Sequence, residues 1–589
     1  MKDIYRIFAS MLAVCLLTAC SEMKFGDKLL DRQPESKGAD LDEMFSSRIS
    51  AETVLTKAYT FLPYGIFTDY GGTRNKLGVA VMENITDLCQ SCLDSSTEGP
   101  HNLYYTGALS SNISSTLRGS EAYRYGSEVD WSAIRYAWMY IENVHKVPDM
   151  SQSEKDERIA EAKMIIAISY TDMLRNVGGV CWIDHAIDVN ENMHFPRLTF
   201  AQTVEKIENL LNEAIPVLKW KWDSRNDGRM TKAGAMALKL RLLTFAASPT
   251  FNSDKIWHPQ ADEYTCYGNY EKARWEKAKK AGDDFMLEWE KNGEYGLTQS
   301  SDGSFNAKRK AYQSAYYDRG GTEVLISTRM GYNESVHNLY FQERHFYGPT
   351  LNYVNMFPWA DGTAFPDDFD WTNPEKQPFF EEDGTPTRDP RLYENVVVPG
   401  DYYYDGNIAP VYSNHPSPQE GTGFLMMKFI LQSKEDRANR PTQWPYLRLP
   451  EVLLSYAEAI NEVNQGPDAT AYRMINDVRA RVGLGSLPEK LGHGEFLEAL
   501  IKERALELGF EEVRWYDLIR RGREEDFRKI LYGLKTVADS PLNPKSFTFE
   551  TKKLEERFWV KNWDTKWYLS PIPVTETNKK YGMTQNPGW

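Results

Sequence analysis

The sequence predicts a mostly α protein, a superhelix of TPR-like helix pairs interrupted by a large, irregular, loop-rich region suited to carry a binding surface. Three observations predict it. Apolar residues return at helical spacing in segment after segment, and the segments stop at Gly or Pro. One pair of segments with its turn, from Pro450 to Gly483, takes roughly 34 residues, the length of a tetratricopeptide unit. Between 295 and 441 the helical period is lost, and Gly, Pro, Asn, Asp and aromatic residues dominate. So long an irregular stretch inside a compact chain is more often functional than idle.

Residues 1–19 read as a secretory signal, with Lys2 and Arg6 before an apolar run at 7–17 that is too short to span a bilayer. Asp3 is atypical there. Leu17-Thr18-Ala19-Cys20 resembles the bacterial lipobox, whose cysteine is acylated and becomes the mature N-terminus. Acyl chains hold a protein at a membrane by about 0.8 kcal/mol per buried CH₂. Residues 20–42 are then a lipidated N-terminus and polar spacer, and no later apolar run is long enough to cross a membrane.

Residues 43–294 form an N-terminal helical region. Trp131, Ile134, Trp138 and Ile141 make one stripe, in a helix ending by Pro148. Ile159, Ala162, Ile166, Tyr170 and Met173 make the next, ended by Gly178-Gly179. After a loop to Pro196, Thr199 caps a helix with Val204, Ile207, Leu211, Ala214 and Leu218 inward. The alanine-rich 231–247 permits close helix approach, and 275–289 is amphipathic again. Helix pairs of this kind cannot bury their faces alone and must stack, here as a right-handed superhelix. Residues 295–441 are the loop-rich aromatic region, and 442–589 a C-terminal helical region and tail. There Pro450 suits a first turn. Val452, Leu453, Tyr456, Ala457 and Ile460 follow on one face, and Gly466-Pro467 breaks the chain. Asp468 caps a second helix with Tyr472, Ile475, Val478 and Val482 inward, and Gly483 ends it. A third begins near Glu495, with Phe496, Leu500, Ile501, Ala505 and Leu508 buried. It leads into Phe510, Trp515, Tyr516 and Leu518, interleaved with Glu503, Arg504, Glu507, Arg514, Asp517, Arg520 and Arg521. That mixture suggests a charge network against an aromatic core. For most of these charges, however, a solvated face is the expectation.

A net charge of −15 and a pI near 5.3 argue against nucleic acid as a partner. With Cys15 lost with the signal and Cys20 lipidated, Cys89-x-x-Cys92 stands alone. No second pair or nearby histidine supports zinc, and no βαβ context supports redox chemistry. A local Cys89–Cys92 disulfide or free thiols both fit. The hydrolase and nucleotide signatures G-x-S-x-G, H-E-x-x-H, G-x-x-x-x-G-K-[ST] and G-x-G-x-x-G are absent. Asp368, Asp370 and Asn373 start like a calcium loop, but Asn373 stands where glycine is needed and Phe379 where the closing Glu belongs. Asp367, Glu381, Glu382 and Asp383 offer carboxylates in loops that look solvated, with nothing to pair them across one bond. The reading is therefore of a protein without catalytic residues, cofactor or metal.

Binding a pyranose needs an aromatic ring under its C–H face and amide, carboxylate or guanidinium groups at its hydroxyl rim. Two stretches offer that mixture. The first is His101-Asn102-Leu103-Tyr104-Tyr105 with Asn112 and Arg118, in a Ser/Gly-rich loop. The second, 329–347, supplies Tyr332, Asn333, Asn338, Tyr340, Arg344, Phe346 and Tyr347. Candidate contacts are Asn102, Tyr104, Tyr105, Arg118, Tyr332, Asn333, Arg344 and Tyr347, each with core or loop packing as its structural alternative.

Three separated blocks, YLRLPEVLLSYAEAINE, ELGFEEVRWYDLIRRG and the tail WYLSPIPVTETNKKYGMTQNPGW, resemble the SusD/RagB family of surface nutrient-binding lipoproteins of Bacteroidota. FPRLTFAQTVEKIENLLNEAIPVL, GRMTKAGAMALKLRLLTFAA, GPTLNYVNMFPWADGTAF and RDPRLYENVVV extend the likeness over almost the whole mature chain. The resemblance implies a bundle with TPR-like units and a ligand on a shallow aromatic arc built from roughly the two loop regions above. It also implies a lipid anchor at Cys20 in the outer membrane, on the extracellular side. The implied role is to capture oligosaccharide and pass it to a SusC-like TonB-dependent transporter. The same architecture would serve a peptide-binding, RagB-type lipoprotein, and a TPR-like scaffold that binds only protein is the remaining alternative.

Overall fold

The computed structural model describes residues 41–66, 77, 81–92, 100–112, 128–188, 190–329, 347–419 and 421–589. Cys20, Arg118, Tyr332, Asn333 and Arg344 lie outside these residues, and of Asn102 only the backbone is described.

The chain builds helices where apolar stripes and caps coincide. Helix α1 (Arg48–Tyr59) is capped by Ser47, whose side chain accepts from the Ser50 amide. After α2 (Glu128–Asn143), α3 (Gln152–Val177) opens on a reciprocal Ser151–Glu154 capping box. It stops at Gly178, where φ is +80° and a Cβ would sit 2.6 Å from the Tyr264 carbonyl oxygen. A second capping box, Thr199 with Gln202, starts α4 (Phe200–Ala214). Thr231 caps α5 (Lys232–Ala247), a helix buried along nearly its whole length, and α6 (Lys272–Asn292) lies against it. Each helix from α1 to α6 packs on the next. The chain then leaves through 295–441 and returns as α8 (Leu449–Asn464), which packs on α5 and α6 and receives α9 (Ala469–Arg481) and α10 (His493–Leu508). The row of helix pairs is therefore continuous in space although 295–441 interrupts it in sequence. Helix α11 (Arg514–Arg520) follows α10.

Two kinds of element depart from the sequence reading. A helix, α7 (Phe305–Tyr317), stands inside the region expected to be irregular, capped by Ser304 and burying Tyr312 and Tyr316 on one face. Its burying residues are tyrosines among lysines, so no aliphatic stripe announces it. Among the described residues, four two-stranded antiparallel ribbons also form. They are β1 (Cys89–Gln90) with β3 (Gly348–Pro349), β2 (Val324–Thr328) with β6 (Trp444–Arg448), β4 (Val396–Val397) with β5 (Leu425–Met426), and β7 (Tyr532–Ala538) with β8 (Phe547–Lys553). The last pairs Tyr532 with Lys553 through to Ala538 with Phe547.

The charges around α10 and α11 correct the solvated-face expectation. Glu503, Arg504, Glu507, Arg514, Asp517 and Arg520 are all buried. Arg448 donates to both oxygens of Glu511 (2.8 and 2.6 Å) and to Glu323 (3.0 Å). Arg481 and Arg391 close on Glu507, and Arg391 also reaches Glu503 at 2.6 Å. Nearby, Arg520 holds Glu458 at 2.6 and 2.7 Å, and Arg504 holds Asp517 at 2.7 Å. A buried charge persists only when paired and hydrogen-bonded. Here Arg448 of β6, Glu323 just before β2, Glu458 of α8, Arg481 of α9 and Arg391 bring partners from other segments of the chain. Cys89 is buried and Cys92 exposed, and among the described residues no disulfide joins them.

Candidate functional site

A groove of about 710 Å³ opens between the first two turns of α2, the loop 181–195 and the tail around 576–583. That volume lies within the roughly 300–1,000 Å³ of ordinary ligand sites. The inner end of the loop is fixed by aromatic side chains of α2 and α3. Tyr170 stacks on Trp182 at 4.1 Å, and Trp131 meets Tyr170 edge-on at 6.2 Å. The Tyr170 hydroxyl accepts from the Ile183 amide (2.7 Å), and Trp138 Nε1 donates to the Ile183 carbonyl (2.9 Å). Farther along, Arg135 Nη1 donates to the Ile187 carbonyl at 3.0 Å, and Glu142 accepts from the Ala186 amide at 3.0 Å. His185 is braced between Asp184 (2.9 Å) and Glu191 (2.7 Å), whose hydrogen bonds raise its pKa.

The tail is tied to the loop by Arg197. This buried guanidinium donates to the carbonyls of Gly179 and Val177, both at 2.7 Å, and to Asn586 Oδ1 at 2.6 Å. Burial pushes its pKa down to about 10. Gly582 (φ +94°) lets the tail pass close to Pro196, whose Cα would lie 3.0 Å from a Cβ at that position. The neighbouring Tyr581 is 40% exposed, and its ring stands edge-on to His194. The groove thus presents Tyr581, Phe195 and Trp131 as ring surfaces, with Arg135, Asp188, Glu576 and Lys579 at its rim. Its cations and carboxylates balance, and the rings offer flat apolar faces beside hydrogen-bonding groups. That is equipment for holding a polyhydroxylated, neutral ligand.

Those residues singled out from sequence that the structure describes fall elsewhere. Tyr104, Tyr105 and Tyr347 are 1%, 4% and 0% exposed, which corrects the expectation that they form a surface arc. Tyr104 packs against Trp559 and Trp567 at 6.1 and 5.8 Å. Tyr105 donates its hydroxyl proton to the Asn84 carbonyl (2.6 Å) and lies under the Arg557 guanidinium (4.7 Å). The cause is the C-terminal tryptophan cluster, which covers the turn at Pro100–Tyr105 from more than 400 residues away in sequence. Asn112 is exposed, close to where the Val574 amide meets the Ser111 carbonyl. Asp367, Glu381, Glu382 and Asp383 are exposed as well, and Asp370 spends its carboxylate on Thr372 and Asn373 of its own turn. Among the described residues, no cluster of three or more His, Cys, Asp or Glu gathers to hold a metal ion. The groove residues were readable only in part: Trp131 belongs to a recognised stripe, whereas Phe195 sits in a connecting loop and Tyr581 in the tail.

Comparison with known proteins bears on this arrangement. A model of the SusD family matches residues 288–589. SusD-like protein P2 of Formosa agariphila is 30% identical over 157 residues, covering 25% of this chain and 26% of that one. SusD-like protein P38 of the same organism is 24% identical over 240 residues, covering 36% and 42%. The matched stretches therefore span well under two thirds of those relatives. Among solved structures, a SusD-like protein from Bacteroides fragilis superposes with a TM-score of 0.70 at 22% identity, covering 94% of this chain and all of that one. A SusD-like carbohydrate binding protein from the same species gives 0.68 at 20% identity, covering 91% and 98%.

Proposed function

This chain belongs to the SusD family, and from that premise we propose that it is a cell-surface lipoprotein that captures oligosaccharide and delivers it to a SusC-like TonB-dependent transporter in the outer membrane. The observation that carries the reading is the groove at the start of α2, where ring faces and a balanced charged rim share one ligand-sized space. A structural relative is itself described as a carbohydrate binding protein. The proposed chemistry is binding without turnover: stacking of a sugar ring on Tyr581 and Phe195, with hydroxyls bonded to Arg135 and Asp188. Asn102, Arg118, Tyr332, Asn333 and Arg344 stay as proposed further contacts. Anchoring rests on Cys20; among the described residues no helix is long and apolar enough to cross a membrane. Affinity-gel electrophoresis of the chain from Ser21 onward against plant, host and microbial glycans tests the reading. Retardation by one glycan class, lost in Tyr581→Ala at unchanged melting temperature, is the expected result. No retardation by any glycan, with binding to a peptide library instead, would replace oligosaccharide by peptide as the cargo.

A further inference from the structure

The groove changes chemistry from floor to rim. Ile134 and Ile183 form the floor and are 1% and 5% exposed, whereas Arg135, Asp188 and Lys579 stand open to solvent. The floor has almost nothing to offer a hydroxyl. The Ile183 amide and carbonyl are both turned inward, to Tyr170 and from Trp138. The Ile187 carbonyl is already taken by Arg135. Cys181 stays a neutral thiol, its pKa pushed up to about 11 by burial. Ser132, beside Trp131, is the one aliphatic hydroxyl on the described wall. A hydroxyl driven onto this floor would give up water and find no partner, which is unfavourable. An apolar group placed there would leave water for an apolar surface, which is favourable.

We propose that the groove recognises a sugar bearing a small apolar substituent, an O-acyl or 6-deoxy methyl group, with that substituent on the Ile134–Ile183 floor and the ring hydroxyls at the charged rim. The proposal rests on the glycan reading above and narrows it to a ligand class. Burying the one or two carbon groups of such a substituent favours the substituted form by roughly fourfold to fifteenfold.

The test uses the full chain from Ser21 and matched probes. These are acetylated xylan and galactoglucomannan oligosaccharides, each also after mild alkaline deacetylation, together with pairs ending in L-rhamnose or in its 6-hydroxy counterpart L-mannose. The expected result is a preference of about tenfold for the substituted member of the best-binding pair. Ile187→Thr, at a half-buried wall position, brings that ratio toward one. Tyr581→Ala instead weakens both members alike. Equal binding of substituted and bare forms, or a ratio that Ile187→Thr leaves intact, overturns the proposal and leaves the glycan reading standing. Absence of binding to every probe, with capture of apolar peptides, overturns both.

Discussion

Replacing Glu507 by Gln removes one negative charge from the centre of the buried network. Its carboxylate accepts from Arg481, from Arg448 at 3.1 Å and from Arg391 at 3.2 Å, with all four side chains fully buried. Burial alone would raise the Glu507 pKa, but the Arg481, Arg448 and Arg391 charges outweigh it and hold the carboxyl well below the usual range. Removing one member of a buried ion pair typically costs about 3–5 kcal/mol, because its partners stay charged and out of water. Unfolding entropy of about 2.1 cal/mol/K per residue over 589 residues gives ~1.2 kcal/mol/K, so a single cooperative unit would lose about 2–4 °C in melting temperature. Differential scanning calorimetry of Glu507→Gln beside Glu550→Gln measures it. Glu550 pairs with Lys535 on the surface, and its loss should move the midpoint by less than 1 °C. The native contribution of Glu507 is present above the ordinary carboxyl pKa and is lost as pH falls toward its lowered folded value, so the gap between wild type and Glu507→Gln narrows in acid. An unchanged midpoint at neutral pH, or an equal fall for both variants, would refute the claim that this network holds the fold.

Other outcomes follow from the same geometry. Tyr104→Ala empties a site between Trp559 and Trp567 and should cost about 3–5 kcal/mol, lowering the melting temperature, while Tyr104→Phe stays near wild type. Glu83 is buried, and desolvation, with the Glu512 charge adding, pushes its pKa up to about 8. A carboxyl raised in the folded state binds its proton more tightly there, so its contribution is full below about 4.5 and is lost as pH rises toward about 8. Glu83→Gln should remove up to about 1.4 kcal/mol per pH unit of that slope, seen as a flatter dependence of melting temperature on pH across this window. On the proposed anchoring, Cys20→Ala should abolish fatty-acid labelling and deplete the protein from the outer-membrane fraction, as followed by fractionation.

Helix positions were legible because their signals are local. Thr199, Asp468 and Pro450 each mark a start, and Gly178 and Gly483 each mark an end, with apolar stripes between. What escaped sequence reading depends on partners far along the chain. The charges at Glu503–Arg520 look solvated until Glu323, Arg391 and Arg448 arrive from other segments. Tyr104 and Tyr105 look like a sugar platform until Trp559, Trp567 and Arg557 cover them. The groove escaped for the same reason: α2, the loop before Pro196 and the tail at Tyr581 meet only after folding, and no spacing rule connects them.

The most direct measurement is a crystal structure of the chain from Ser21 with the glycan that retards it best. The account predicts a sugar ring against Tyr581 and Phe195, with hydroxyls within hydrogen-bond reach of Arg135 and Asp188. A glycan bound elsewhere on the surface, with the groove empty, would contradict it.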